Sequence, residues 1–555
     1  MAEPRLSKPA PVLRWLGLPR LAGLPRLAGL LRPTRPRRLL GLLSLSALQC
    51  LFGAAGCAGP AQAPPSTGAC HYDVTLRDTQ DFVLDVSLAC TGREFSGARA
   101  SVAAAAPFMH VESSRQPLAR DDDLFRLDTP TTRLRLTYQV RLGDLARQQQ
   151  DFDLALLQQG DAGAALVAPA YTWLLEPDPV PGGYPVSVEV RVPDGAGFAT
   201  GLTRGALTRG GGSTGGSGLT RAAGPRRFSL LAQEIRVATY SAFGQLHVEQ
   251  LALPPPISCE PSAAQPCAPA TLELVTLPRA GPESSQQLAT LSEWIRRSAA
   301  AVADFWGGFP VARASLIVIP IRDRDEVVFG KVLPASAPAI ALLVGEQADA
   351  AALSRDWILV HELFHLGVPS FSGEGKWLDE GLATYYEPII RARAGNQTEL
   401  DVWRGFQRNL SKGVDAMGST GLEGTRDYAA VYWGGALVSL MADVEARRAS
   451  AGELGLEDGL REVLRRGGQA SKVWPLERVI RVVDSVLGQP VLARLSQRYA
   501  SRGAPVDLPR LLSELGVNDT GDAIRLVPAP GAELRRQLVF PGRSSSSQRS
   551  STSQR

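Results

Sequence analysis

The residues best equipped for chemistry lie in one short run, His361-Glu362-Leu363-Phe364-His365. On a helix, residues four apart share a face one turn apart, so both imidazoles can reach one metal ion. Glu362 then sits about 100° round from His361, where it addresses a metal-bound water rather than the metal. This is the equipment of a zinc site that activates water for hydrolysis. A catalytic zinc takes a third protein ligand and keeps one position open. Glu380, within Trp377-Leu378-Asp379-Glu380-Gly381, is the best candidate, and Thr384, one helical turn further on, is a weaker candidate for supporting it. The remaining histidines, His71, His110 and His247, are isolated in a region of different character and read as structural or exposed.

The elements that must position these groups follow from periodicity. Leu353 to Val360 holds no Pro or Gly and suits a helix running into His361. Gly367, Pro369, Gly373 and Gly375 form a loop that lets a second helix, bearing Glu380, pack on the first. Upstream, Ser315 to Ile321 and Ile340 to Val344 are apolar runs of strand length, and Leu288, Leu291, Trp294, Ile295 and Val302 recur on one helical face. Earlier, the period is two: Phe82, Leu84, Val86 and Leu88; Leu134, Leu136, Tyr138, Val140 and Leu142; Val186, Val188, Val190 and Val192. Such runs between turn-formers predict a half-buried antiparallel sheet folded as a sandwich. Beyond Asp401 the pattern is helical, with Leu437, Leu440, Met441 and Val444 at core-facing spacing.

The expected fold class is therefore multidomain α+β. A targeting segment covers 1–57 and a linker 58–69. A β-sandwich domain covers 70–258 and carries a flexible Gly-rich loop over 203–224. A catalytic domain covers 270–400, a helical domain 401–525 and a disordered tail 526–555, Ser/Arg-rich from Pro541.

A length of 555 residues calls for two or three domains, and 44% apolar with 21% charged residues is a globular balance. A net charge of +4, with arginines scattered among acids, gives no basic stripe, so nucleic-acid binding is excluded. The basic residues are almost all arginine; the lysines are Lys8, Lys331, Lys376, Lys412 and Lys472. At the N-terminus an Arg-rich stretch runs into an uncharged apolar segment from Leu39 to Ala55, a secretory signal in pattern. Ala54-Ala55-Gly56-Cys57 resembles the bacterial lipobox, although Ala54 stands where Leu is usual. That resemblance implies a lipid anchor on Cys57 and residence in a bacterial cell envelope; a cut after Ala61-Gln62-Ala63 would instead give a periplasmic or secreted protein. Cys70, Cys90, Cys259 and Cys267 then remain, and proximity favours Cys70–Cys90 and Cys259–Cys267 among three possible pairings.

HELFH followed by WLDEGLATYY (Trp377 to Tyr386) resembles the gluzincin metallopeptidases, in which two histidines and a later glutamate bind zinc. Within them it looks most like the glycyl aminopeptidase family and, more distantly, the membrane alanyl aminopeptidase family. Phe305-Trp306-Gly307-Gly308-Phe309-Pro310 resembles the family's segment between its first helix and edge strand. Tyr432-Trp433-Gly434-Gly435-Ala436-Leu437-Val438 is similar to a stretch whose tyrosine hydrogen-bonds the developing oxyanion. The resemblance spans roughly 70–502 and is strongest over 356–386. It implies an N-terminal β domain, a thermolysin-like catalytic domain and a helical C-terminal domain. It also implies one zinc per chain on His361, His365 and Glu380, with Glu362 as general base, Tyr432 as oxyanion donor and a peptide or protein as substrate. The sequence departs from these aminopeptidases at Phe329 to Ser336, which holds no acid where the family has one for the substrate's free amine, so the resemblance implies an aminopeptidase-like zinc peptidase and leaves terminal and internal cleavage both open. The residues after Leu512 are too few for the PDZ domain that the family often carries. The alternative is an envelope binding or scaffolding lipoprotein with a relic zinc site, which would have no use for Glu362. Nothing in the sequence sets an oligomeric state.

Overall fold

Alternating apolar residues between Cys70 and Gly244 build two sheets around one core. The computed structural model describes residues 68–204, 226–236, 239–259, 266–281, 284–335, 337–371, 373–519 and 524–542. The expected targeting segment, Cys57, nearly all of the linker and all but the first two residues of the Gly-rich loop lie outside them. Among the described residues a nine-stranded sheet is centred on Cys70–Leu76, Val83–Ala100 and Leu124–Arg141. A four-stranded sheet is ordered Gly197–Thr200, Tyr240–Gly244, Gly163–Pro169, Leu156–Gly160. The inward residues of the larger sheet, among them Leu84, Leu88, Leu136 and Val188, meet Leu166, Ala168, Phe198 and Phe243 of the smaller one in a single cluster. Pairing is antiparallel except that Cys70–Leu76 runs parallel to Pro185–Arg191. Register sets Cys70 opposite Cys90, and disulfides join Cys70 to Cys90 and Cys259 to Cys267.

The next sheet has five strands: β1 (His247–Leu253), β2 (Ala270–Thr276), β3 (Arg313–Ile321), β4 (Val327–Leu333) and β5 (Ala339–Gly345), in the order β1-β2-β3-β5-β4. The expected β-sandwich domain over 70–258 included β1. The structure corrects this, because β1 pairs with β2 and not with either sheet of the β region. A helix, α1 (Ser285–Trp306), connects parallel β2 and β3, as a crossover between parallel strands requires. Strands buried on both faces read as unbroken apolar runs, which explains SLIVIPI. Leu272, Leu274, Leu316, Val318, Ile340 and Leu342 face the helices. Their neighbours Val275, Ile317, Ile319, Ala341 and Leu343 face Val167, Tyr240 and Ala242 of the four-stranded sheet. That small sheet is thus buried on both sides, once by each larger sheet.

Three further helices carry the candidate site: α2 (Ile358–His365), α3 (Lys376–Arg393) and α4 (Tyr428–Ala449). Helices α3 and α4 cross at glycines. A Cβ on Gly435 would lie 1.9 Å from the Trp377 carbonyl oxygen, and one on Gly381 would lie 2.4 Å from the Gly435 Cα. Their apolar faces join one cluster that runs from Leu251 to Val539.

The expectation of disorder over 526–555 is corrected for 526–542. Ile524–Leu526 is a strand and Ala532–Val539 a helix, with Leu538 and Val539 buried and Arg535 Nε 2.8 Å from Glu399 Oε1. Leu526, Leu534 and Phe540 pack beside Leu538 and Val539 on the same core, and the Arg535–Glu399 ion pair fixes the helix there. Among the described residues no helix is long and apolar enough to cross a membrane.

Candidate metal centre

Helix α2 begins where the Asp356 carboxylate accepts hydrogen bonds from the backbone N–H groups of Ile358 and Leu359, at 3.0 and 2.9 Å. Leu359, Leu363 and Phe364 commit one face to the core. The remaining face brings the rings of His361 and His365 to a centroid separation of 4.9 Å. Helix α3, packed on α2, supplies Glu380. Its Oε2 lies 3.4 Å from His361 Nε2 and 3.6 Å from His365 Nε2. Two atoms bound to one tetrahedral zinc at about 2.1 Å lie roughly 3.4 Å apart. Both distances from Glu380 suit donors shared by one zinc ion, and all three donor atoms lie within 4.8 Å of one another.

Asp379, beside Glu380, places Oδ1 2.9 Å from His365 Nδ1, which turns the Nε2 of that ring toward the other ligand atoms. The sequence reading gave Asp379 no role, although its place next to a ligand in Trp377-Leu378-Asp379-Glu380 was the available signal. His361 Nδ1 is buried with no hydrogen-bond partner, and so is Thr384 Oγ1. Thr384 therefore supports no ligand through a hydrogen bond in this structure.

Glu362, on the same helix, has a carboxyl that burial raises above its ordinary range while His361 and His365 pull it part of the way back. For His365 burial opposes the charged ring, but Asp379 and Glu380 outweigh it and raise the imidazole well above its usual value. Burial works against the Glu380 carboxylate as well, and hydrogen bonds from His361 and His365 nonetheless hold it far below the carboxylate range. Carboxyl groups of Glu362, Asp379 and Glu380 around two imidazoles make a centre whose negative charge favours a divalent cation.

Helix α4 brings Tyr432 to the same place. Its ring lies parallel to that of His361, with centroids 5.9 Å apart and planes 2° from parallel. Burial, then the Glu380 charge, raises its phenol, so it remains a proton donor. All five residues singled out in the sequence, His361, Glu362, His365, Glu380 and Tyr432, thus share one site.

The stretch Phe329 to Ser336 belongs to the edge strand β4 as far as Leu333, and Ser336 lies outside the described residues. It presses on the site through Gly330, where a Cβ would come within 2.6 Å of Glu362 Cγ and 2.7 Å of Ile358 Cγ2. Next to it, Lys331 Nζ lies 2.7 Å from both carboxylate oxygens of Asp153, which comes from the β region. Tyr240 donates to Asp153 Oδ1 at 3.3 Å. No local sequence signal pointed to Asp153 or Tyr240. The three isolated histidines stay outside this group: His71 pairs with Asp73, His110 with Glu112, and His247 lies exposed on β1.

No protein-family model matches this sequence, and no curated protein does. Solved structures do resemble it. The aminopeptidase N family protein from Idiomarina loihiensis is similar with a TM-score of 0.56 at 16% identity, over 81% of this chain and 78% of that one. Yeast LTA4 hydrolase reaches a TM-score of 0.47 at 11% identity, over 80% and 69%. The M1 zinc metallopeptidase from Deinococcus radiodurans reaches 0.42 at 15%, over 79% and 94%. With the first of these as the measure, the chain has the fold of an aminopeptidase N family protein.

Proposed function

We propose that this chain is a zinc-dependent peptidase with Glu362 as its general base. The observation that carries the reading is the convergence of His361 Nε2, His365 Nε2 and Glu380 Oε2 beside Glu362. One zinc bound there would polarise the scissile carbonyl and lower the pKa of the attacking water. The Glu362 carboxylate takes a proton from that water and delivers it to the leaving nitrogen, and a pKa raised by burial suits both steps. The Tyr432 O–H donates to the carbonyl oxygen as it gains charge. Asp379 holds the proton on His365 Nδ1, which keeps Nε2 available as a ligand. A thermolysin-like arrangement of the catalytic region belongs to this proposal, as do export to a bacterial envelope and anchoring through Cys57. The likeness in fold to aminopeptidase N proteins favours removal of single residues from a free N-terminus.

The test is the Glu362→Gln variant. It retains about one zinc per chain, while hydrolysis of a mixed peptide library falls about 10²–10⁴-fold. Chelation abolishes the activity of the unaltered chain, and added zinc restores it. Undiminished hydrolysis by the variant would overturn the proposal. Product masses from the same library separate trimming at the terminus from internal cleavage.

A further inference from the structure

Each of the three site helices has a second side chain, at its first residue or just before it, four positions ahead of its site residue. Trp357 precedes His361, Lys376 precedes Glu380 and Tyr428 precedes Tyr432. That spacing returns to the same helix face, so all three stand beside the centre. The Trp357 ring meets the His361 ring edge-on at 5.7 Å. Lys376 Nζ lies 3.5 Å from Glu380 Oε1 and 5.6 Å from the centroid of the Tyr428 ring.

Trp357 and Tyr428 are exposed where the other large aromatic side chains among the described residues are not. The exposed large hydrophobic residues among those described are Leu231, Val248, Trp357, Tyr428 and Val473. The two aromatic ones, 49% and 48% exposed, both flank this centre. Exposed aromatic surface gathered at one place marks a contact surface, and aromatic rings supply contact area at little cost in conformational entropy. Lys376 is also unusual, one of five lysines in a chain with 59 basic residues. Its side chain is 60% exposed, and 3.5 Å is longer than the roughly 2.7–2.9 Å of a charge-assisted hydrogen bond. Its N–H donors are therefore open to a better acceptor. A cation held by Glu380 takes up the charge of that carboxylate, and the ammonium then gains from a second anion.

We propose that Trp357, Lys376 and Tyr428 form the peptide-recognition rim of the centre and that Lys376 selects a substrate carboxylate close to the scissile bond. The carboxylate is either an acidic side chain or the free C-terminus of a short peptide. The rings of Trp357 and Tyr428 cover the apolar part of the same peptide. The proposal rests on the peptidase reading and names the substrate class of that site.

Binding without turnover tests it, using the zinc-loaded Glu362→Gln protein and calorimetry. Matched peptides carry Glu, Gln or Lys at each position flanking the cleavage point, and each is made with a C-terminal acid and with an amide. Glu over Gln reports the side-chain source, and acid over amide the terminal one. At least one of these preferences reaches about 5–10-fold in Kd. Lys376→Met removes it and Lys376→Arg keeps it, both with one zinc bound. Trp357→Ala and Tyr428→Ala weaken all peptides alike. In the active chain the preference resides in KM rather than kcat. A Lys376→Met variant that weakens charged and neutral peptides equally, or a preference that survives it, overturns the proposal. If the active chain cleaves no peptide while holding zinc, the peptidase reading fails first and this one falls with it.

Discussion

Around the centre, single atoms decide what is tolerated. Gly330 is the clearest instance, since its missing Cβ leaves room for the Glu362 side chain at a separation no real Cβ contact allows. Gly330→Ala pushes Glu362 aside without touching a ligand. The expected result is full zinc content, a loss of stability of no more than about 1–3 kcal/mol from crowding against Ile358, and a kcat about 10–100-fold lower, checked by steady-state kinetics beside metal analysis. Not all residues of the site were equally legible. His361, Glu362, His365 and Glu380 lie within twenty residues, and helical spacing alone brings the first three together. The Lys331–Asp153 pair closes across 178 residues, and no local pattern encodes a contact made only when two sheets meet. Asp379 stood in view beside Glu380, but adjacency in sequence does not say which way a carboxylate turns.

Between elements, backbone spacing sets the geometry. Helix α3 holds Glu380 and α4 holds Tyr432, and they approach through Gly381 and Gly435 with no side chain between them. Gly435→Ala places a methyl group 1.9 Å from the Trp377 carbonyl oxygen. Overpacking of this kind costs about 1–3 kcal/mol, and the helices separate to relieve it. Lower stability in denaturant unfolding together with reduced zinc occupancy is the expected outcome; normal occupancy would show that the crossing does not set the centre. At this scale the sequence spoke clearly where burial was two-sided or strictly alternating, as in SLIVIPI and the Phe82 to Leu88 run, both of which face their cores as the periodicity required. It misled at His247–Leu253, where alternation shows that one face is buried but not which sheet the strand joins.

For the whole molecule, the four-stranded sheet is the decisive layer, because it contributes to the core of the β region and to the core of the five-stranded sheet. A fragment starting at His247 exposes Ile317, Ile319, Ala341 and Leu343 to water. Such a fragment is expected to aggregate or to remain unfolded, as sedimentation and circular dichroism would show. The intact described region, by the same token, is expected to melt in one transition. A compound that grips the metal centre then delays the loss of strands in the β region as much as that of the helices it touches. One melting curve, read from any reporter among the described residues, is enough to screen for ligands of that centre.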